Sequence, residues 1–386
     1  MKRLICILIS ISMIACSERL SSIPEEDFSR RVSDHLSSGQ VNAFAEDSLG
    51  QIWMATSRGL NRYDGKFFHQ FFTSADSLSL PDNHINDLCF DRDGNLWVAT
   101  WGGVARMDGD GHFHRIALSP GENKDASCLV VMPSGDIFAA FEDHISVCRK
   151  GMKHFRHVLD VPETYGLSKI YPGPRNSLWV VTLKEISCLD AGNLSIESSF
   201  TAPHAVYRSF MTSQGILVLA GDARVSLFDI RNHEFHHADI PLKEVALITE
   251  LKTEEILLSG SDGTIIYNIG NGTVLQRNQE LFPYDFPSFP VKSAMQDSNG
   301  LLWLGGKEQG FSVLTSLRSN PYRAKKNILD FFRGKSIASL SADKDGNLWV
   351  STRNRGLYLC QTKEDKVLPI PIDSYLQNTP PGMDYC

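Results

Sequence analysis

The sequence predicts an all-β protein, a β-propeller of four-stranded antiparallel blades. Three observations carry that prediction. One unit recurs about every 40–46 residues; each copy opens on a tight turn followed by a short apolar strand; and each copy has room for four short strands but no useful helical periodicity.

The unit is clearest near the two ends of the chain. Asp47-Ser48-Leu49-Gly50-Gln51-Ile52-Trp53-Met54-Ala55-Thr56 is followed by Gly59-Leu60 and Tyr63-Asp64-Gly65. Asp91 to Thr100, with Trp97, repeats it, followed by Gly103-Val104 and Met107-Asp108-Gly109. Asp297 to Gly306, with Trp303, and Asp343 to Thr352, with Trp349, are two more strong copies. Four eroded copies fill the gap: Gly135-Asp136-Ile137-Phe138, Asn176-Ser177-Leu178-Trp179, Gly215-Ile216-Leu217-Val218 and Glu254-Glu255-Ile256-Leu257. The Trp-equivalent positions are then 53, 97, 138, 179, 218, 257, 303 and 349, and no interval leaves space for a missed unit.

Each part of the unit has a physical task. In Asp-x-x-Gly the Asp side chain can accept from backbone amides, and glycine takes a positive φ without a Cβ penalty. Asn176 is the next-best residue for that conformation. The apolar run after the turn is a strand buried on both faces, with the aromatic wedged between blades. Gly-Leu and Tyr-Asp-Gly mark a second turn, a third strand and its exit hairpin. Aromatic segments such as Phe67-Phe68 and Phe113 supply the outer strand.

Eight units are detectable and seven blades are favoured. On that reading residues 41–316 form blades one to seven, and 317–362 an eighth unit that is either an eighth blade or the start of a second propeller. Residues 17–40 form an N-terminal segment in which Phe28 to Leu36 could supply a ring-closing strand. The stretch 363–386, with Pro369, Pro371, Pro380 and Pro381, reads as an irregular tail. Residues 1–16 read as a signal peptide: Lys2 and Arg3, then an apolar core from Leu4 to Ala15, too short to span a bilayer comfortably. Met13-Ile14-Ala15-Cys16 resembles a bacterial lipobox, which would make Cys16 the lipidation site and place the protein in the periplasm, anchored to a membrane only through that lipid or the signal itself.

Composition narrows the partner classes. A net charge of −7, with one short basic run at Arg323 to Lys326, argues against a nucleic-acid partner. Cys89, Cys128, Cys148, Cys188, Cys360 and Cys386 make no C-x-x-C pair and read as single thiols, mostly buried. His112 and His114, His154 and His157, and His233, His236 and His237 read as decoration on outer strands that diverge between blades, so no metal is expected. No cofactor-binding loop or catalytic constellation is recognisable.

The signature Asp-x-x-Gly-x-Ile/Leu-Trp-x-Ala/Gly-Thr…Gly-Leu…Tyr-Asp-Gly resembles the two-component regulator propeller repeat over about residues 41–360. That resemblance implies the extracytoplasmic sensor region of a bacterial hybrid histidine kinase, often one that senses glycans. Such sensors usually continue into a second propeller, an immunoglobulin-like domain, a membrane span and a kinase, which this sequence does not contain. The expectation is therefore a lone sensor module, or the front of a sensor cut short, that does not phosphorylate anything itself. The family's ligand contacts follow no shared motif, so the resemblance assigns no site residues.

Candidate ligand residues come instead from the loops that share one face of a propeller. Trp101 could stack on a sugar ring. Arg58, Arg353 and Arg355 could hold carboxylate or sulfate groups in bidentate fashion. The expected function is an oligosaccharide-binding sensor module, with a protein partner in a sensory pathway. The alternatives are a lipid-anchored scaffold and a propeller lyase or hydrolase, for which His84 and Glu308 are the nominated pair.

Overall fold

The computed structural model describes residues 35–161, 167–221, 223–277, 279, 286–287, 289–314, 326–332, 335–343, 346–352, 356–361 and 364–370. The signal and lipobox segment with Cys16, residues 28–34 of the anticipated closing strand, and Arg353 and Arg355 lie outside them. The chain divides into two compact units, Met1–Leu314 and Thr315–Cys386.

The first unit is a propeller. Blade one is β1 (Val41–Glu46), β2 (Ile52–Thr56), β3 (Gly59–Tyr63) and β4 (Phe68–Phe71); blade two is β5 (Ile85–Phe90), β6 (Leu96–Thr100), β7 (Gly103–Met107) and β8 (Phe113–Arg115). Blade three is β9 (Ala126–Val131), β10 (Ile137–Phe141), β11 (His144–Cys148) and β12 (Arg156–Asp160). Blade four is β13 (Leu167–Pro172), β14 (Ser177–Thr182), β15 (Glu185–Asp190) and β16 (Ile196–Thr201). Blade five is β17 (Arg208–Met211), β18 (Ile216–Gly221), β19 (Arg224–Asp229) and β20 (Glu234–Ala238). Blade six is β21 (Leu247–Lys252), β22 (Glu255–Gly260), β23 (Gly263–Asn268) and β24 (Val274–Gln276). Blade seven has three described strands, β25 (Val291–Gln296), β26 (Leu302–Gly306) and β27 (Phe311–Leu314). Every sheet is antiparallel with strands in chain order.

The inner strands meet in sequence, and β25 returns to β1, so the ring of this unit closes at seven. The joint is specific. Ser293 Oγ donates to Val41 O (2.8 Å), Lys292 Nζ to Asn42 Oδ1 (2.6 Å), and the Ser298 amide to Glu46 Oε2 (2.7 Å). Val41, Ile52 and Met54 of blade one share a core with Trp303 and Phe311 of blade seven, and Leu36 packs against it. The same latch recurs elsewhere in the ring, where the Ser213 amide donates to Glu250 Oε2 (2.8 Å) as Ser298 does to Glu46.

The turn of the repeat explains its own spelling. At the glycine position all eight units have positive φ: Gly50, Gly94, Gly135, Asn176, Gly215, Glu254, Gly300 and Gly346. Eroded units therefore keep the backbone conformation after losing the glycine. The aspartate does more than cap the turn. Asp91 Oδ1 accepts from the Asp93 and Asn95 amides (2.9 Å each), while Oδ2 accepts from the Trp97 indole N–H (2.9 Å). Trp53 on Asp47 and Trp303 on Asp297 repeat this link. Asp and Trp, six residues apart, are thus one device in which the carboxylate fixes both the turn and the ring that fills the gap between blades.

The second unit holds β28 (Ile337–Ala342), β29 (Leu348–Thr352), β30 (Leu357–Gln361), β31 (Lys366–Ile370) and a short helix, α1 (Lys326–Phe332). Two corrections follow. The stretch expected to be irregular contributes the outer strand β31: Pro369 sits on an edge strand, where a missing N–H leaves no ladder bond unmade. Trp349 is 36% exposed, whereas Trp53, Trp97, Trp179 and Trp303 are buried, so in this unit the ring is not wedged between sheets.

Candidate ligand-binding face

The inner strands begin at the face that carries the β2–β3-type hairpins. In β1, β5 and β25 the second residue is bulged out of register, at Asn42, Asn86 and Lys292. A bulge leaves its residue unpaired and re-aims the side chain. Here it turns each side chain toward the neighbouring blade. Lys292 Nζ reaches Asn42, the Asn42 amide group donates to Ile85 O (2.7 Å), and Asn86 donates to Asp125 Oδ1 (3.1 Å) and Ala126 O (2.9 Å). A polar relay thus runs around the mouth from blade seven to blade three.

Charge is divided across this mouth. On the side of blades two and three the Asp125 carboxyl is pushed up by burial and by the neighbouring Glu142. On the opposite side the Lys292 ammonium is pulled below its ordinary value by burial and by the charges of Arg208 and Lys307. The cations are therefore close enough to feel one another.

A cavity of about 650 Å³ lies on that cationic side over blades five to seven. Its size is that of a small-molecule site. Tyr207, Arg208, Lys243, Arg277, Phe289 and Lys307 contribute the groups with recognition chemistry. The hairpins of blades five and six come close to the entering loops because Gly221 and Gly260 lack a Cβ; a side chain there would strike the carbonyls of Ala205 and Glu244.

The nominated residues are placed as follows. His84 and Trp101 come together: their rings stack with centroids 3.7 Å apart and planes 6° from parallel, and Trp101 is 54% exposed. Burial, and then the charge of Lys292, lower the His84 imidazole's pKa. Arg58 sits in the β2–β3 hairpin, where its amide donates to Thr56 Oγ1 (3.2 Å). Glu308 sits in the β26–β27 hairpin beside Lys307, with its carbonyl against Gly39. Among the described residues no hydrogen bond joins the His84 ring to Glu308 or to another carboxylate. Sequence reasoning missed the cavity itself, because it lies over the eroded blades, where no motif marks Tyr207, Arg208 or Lys243. It also missed a cluster of Glu122, His144 and His157 at the edge of blade three.

Three segments, 35–58, 79–102 and 332–354, match the two component regulator propeller family model. Those three segments carry the two component regulator propeller repeat. These matches fall on the first, second and eighth units, where Asp and Trp are both present. The chain has no match among curated proteins. Among solved structures it is similar to the extracellular domain of a putative hybrid two component system from B. thetaiotaomicron (17% identity, TM-score 0.60), covering 87% of this chain and 47% of that one. A second such domain, described as a putative one component system from the same organism, matches at 17% identity and TM-score 0.61 over 73% of this chain and 41% of that one. A streptogramin B lyase matches at 14% identity and TM-score 0.61, over 73% and 95% of the two chains. This chain spans less than half the length of those two extracellular domains, and at these identities the likeness is one of fold. Among the described residues no helix is long and apolar enough to cross a membrane.

Proposed function

We propose that this regulator propeller is the ligand-binding module of an extracytoplasmic sensor, exported and anchored through Cys16, and that it takes an oligosaccharide bearing carboxylate or sulfate groups. The observation that carries this reading is the cavity over blades five to seven, which brings Tyr207 and Phe289 together with Arg208, Lys243 and Lys307. Aromatic faces stack on sugar rings, and guanidinium and ammonium groups hold acidic substituents. The bound sugar would then be read out by a protein partner in the sensory pathway. His84 and Trp101 extend the face toward blade two as a further stacked, exposed surface.

Thermal shift and calorimetry on the purified chain, with uronic-acid-containing, sulfated and neutral oligosaccharides, test the reading. Binding of acidic members, weakened by Lys307→Ala and Tyr207→Ala, is the expected result. A protein that binds none of them, or binds them equally well after both substitutions, would overturn it.

A further inference from the structure

The edge of blade three carries a second arrangement, outside the cavity over blades five to seven. His144, at the start of β11, is 3% exposed and lies flat against Phe141, with centroids 4.6 Å apart. Its Nδ1 is 2.6 Å from Asp143 Oδ1, so Nδ1 carries a proton and the neutral tautomer presents a lone pair at Nε2. That Nε2 is buried and has no hydrogen-bond partner. A buried acceptor without a donor is costly and calls for an explanation.

Two other side chains face the same point. His157, on β12, has its ring 5.3 Å from that of His144. Glu122, from the loop between β8 and β9, has one oxygen engaged by the Ser119 amide (2.9 Å) and the other 3.7 Å from His157 Nδ1. One ligand atom from each of Glu122, His144 and His157 lies within 4.8 Å of the other two. On its far side His157 Nε2 meets Asp160 Oδ1 at 3.2 Å. Each imidazole therefore has a carboxylate on the nitrogen turned away from the cluster, the support that metal-ligating histidines ordinarily have.

We infer that Glu122, His144 and His157 form a site for a divalent first-row transition metal such as Zn²⁺, with the fourth coordination position open. Two imidazole nitrogens and one carboxylate suit such an ion, whereas Mg²⁺ and Ca²⁺ favour all-oxygen sets. The metal would tie the Ser119–Asp125 loop to the outer half of blade three. That loop ends on Asp125, which receives Asn86 at the mouth, so the staple would also steady one wall of the ligand face.

Because His144 is buried, the test rests on its more exposed neighbours. The full chain, stripped with chelator, is titrated with Zn²⁺ against a chromophoric competitor and with Co²⁺ by visible absorption. One equivalent should bind, the Co²⁺ spectrum should lack thiolate charge transfer, and His157→Gln and Glu122→Gln should each weaken binding at least about ten-fold. Asp143→Asn, which removes no ligand, should weaken it by roughly 10–100-fold. Metal-free unfolding midpoints close to that of the unsubstituted protein show that the variants are folded. Failure to bind, or equal binding after His157→Gln and Glu122→Gln, would overturn the assignment.

Discussion

Replacing Trp97 by Phe separates the two jobs the repeat gives its tryptophan. The ring is 4% exposed and its N–H donates to Asp91 Oδ2 at 2.9 Å. A hydrogen bond to a charged acceptor contributes about 1.5–3 kcal/mol. The lower end applies here, because the same carboxylate oxygen keeps the Asn95 side-chain donor at 2.9 Å. Loss of the outer part of the indole removes roughly 40–50 Å² of buried apolar surface, about 1 kcal/mol at about 25 cal/mol per Å². Trp97→Phe should therefore cost about 2.5 kcal/mol. Trp179 is the internal control: Gly173 stands where the aspartate would be, and the buried Trp179 N–H has no partner. Trp179→Phe should cost about 1 kcal/mol or less, since it also removes an unsatisfied donor. Urea unfolding of both variants, compared at matched slope, reads the difference. Equal destabilisation would refute the claim that the Asp–Trp link, rather than ring burial alone, holds the strong repeats.

The same device has a pH signature. Burial raises the Asp91 carboxyl, but donors from Trp97 and Asn95 outweigh it and hold the group below its ordinary value. Its contribution is present above about pH 4 and lost as pH falls through the lowered value, so acid titration of stability should be flatter below pH 4 in Trp97→Phe. Glu254 occupies the turn with φ of 69°; Glu254→Gly should raise stability by about 0.5–1 kcal/mol, the relieved strain exceeding the added chain entropy. Gly260→Ala should lower stability by about 1–3 kcal/mol through the clash with the Glu244 carbonyl, read as a lower melting temperature. Tryptophan emission should change as His84 protonates against Trp101, with a midpoint below about 6.5. That midpoint should rise in Lys292→Met and the change should vanish in His84→Ala.

Much of the fold was legible because the turn writes its conformation into the sequence at fixed spacing. The positive φ at Asn176 and Glu254 shows that the alignment through the eroded units tracked a real backbone requirement. The strand at Lys366–Ile370 was not legible: a proline in an edge strand looks the same in sequence as a proline in a tail. The ligand face was only partly legible. His84, in the loop entering β5, and Trp101, in the β6–β7 hairpin, sit at places that the repeat locates, but Tyr207, Arg208 and Lys307 converge only once blades five to seven are placed side by side. The cluster of Glu122, His144 and His157 was hidden for a related reason. Its members come from a loop, a third strand and an outer strand, with no interval that a motif would reveal.

The latch between blade seven and blade one joins residues about 250 positions apart, Ser293 with Val41 and Ser298 with Glu46. Such a contact cannot form during synthesis until nearly the whole ring has been made. Until β25 and β26 arrive, Val41, Ile52 and Met54 of blade one have no cover from Trp303 and Phe311. The first blade to be made is thus the last to be finished. For that interval its apolar face is open to wrong partners, including the same face of another nascent copy.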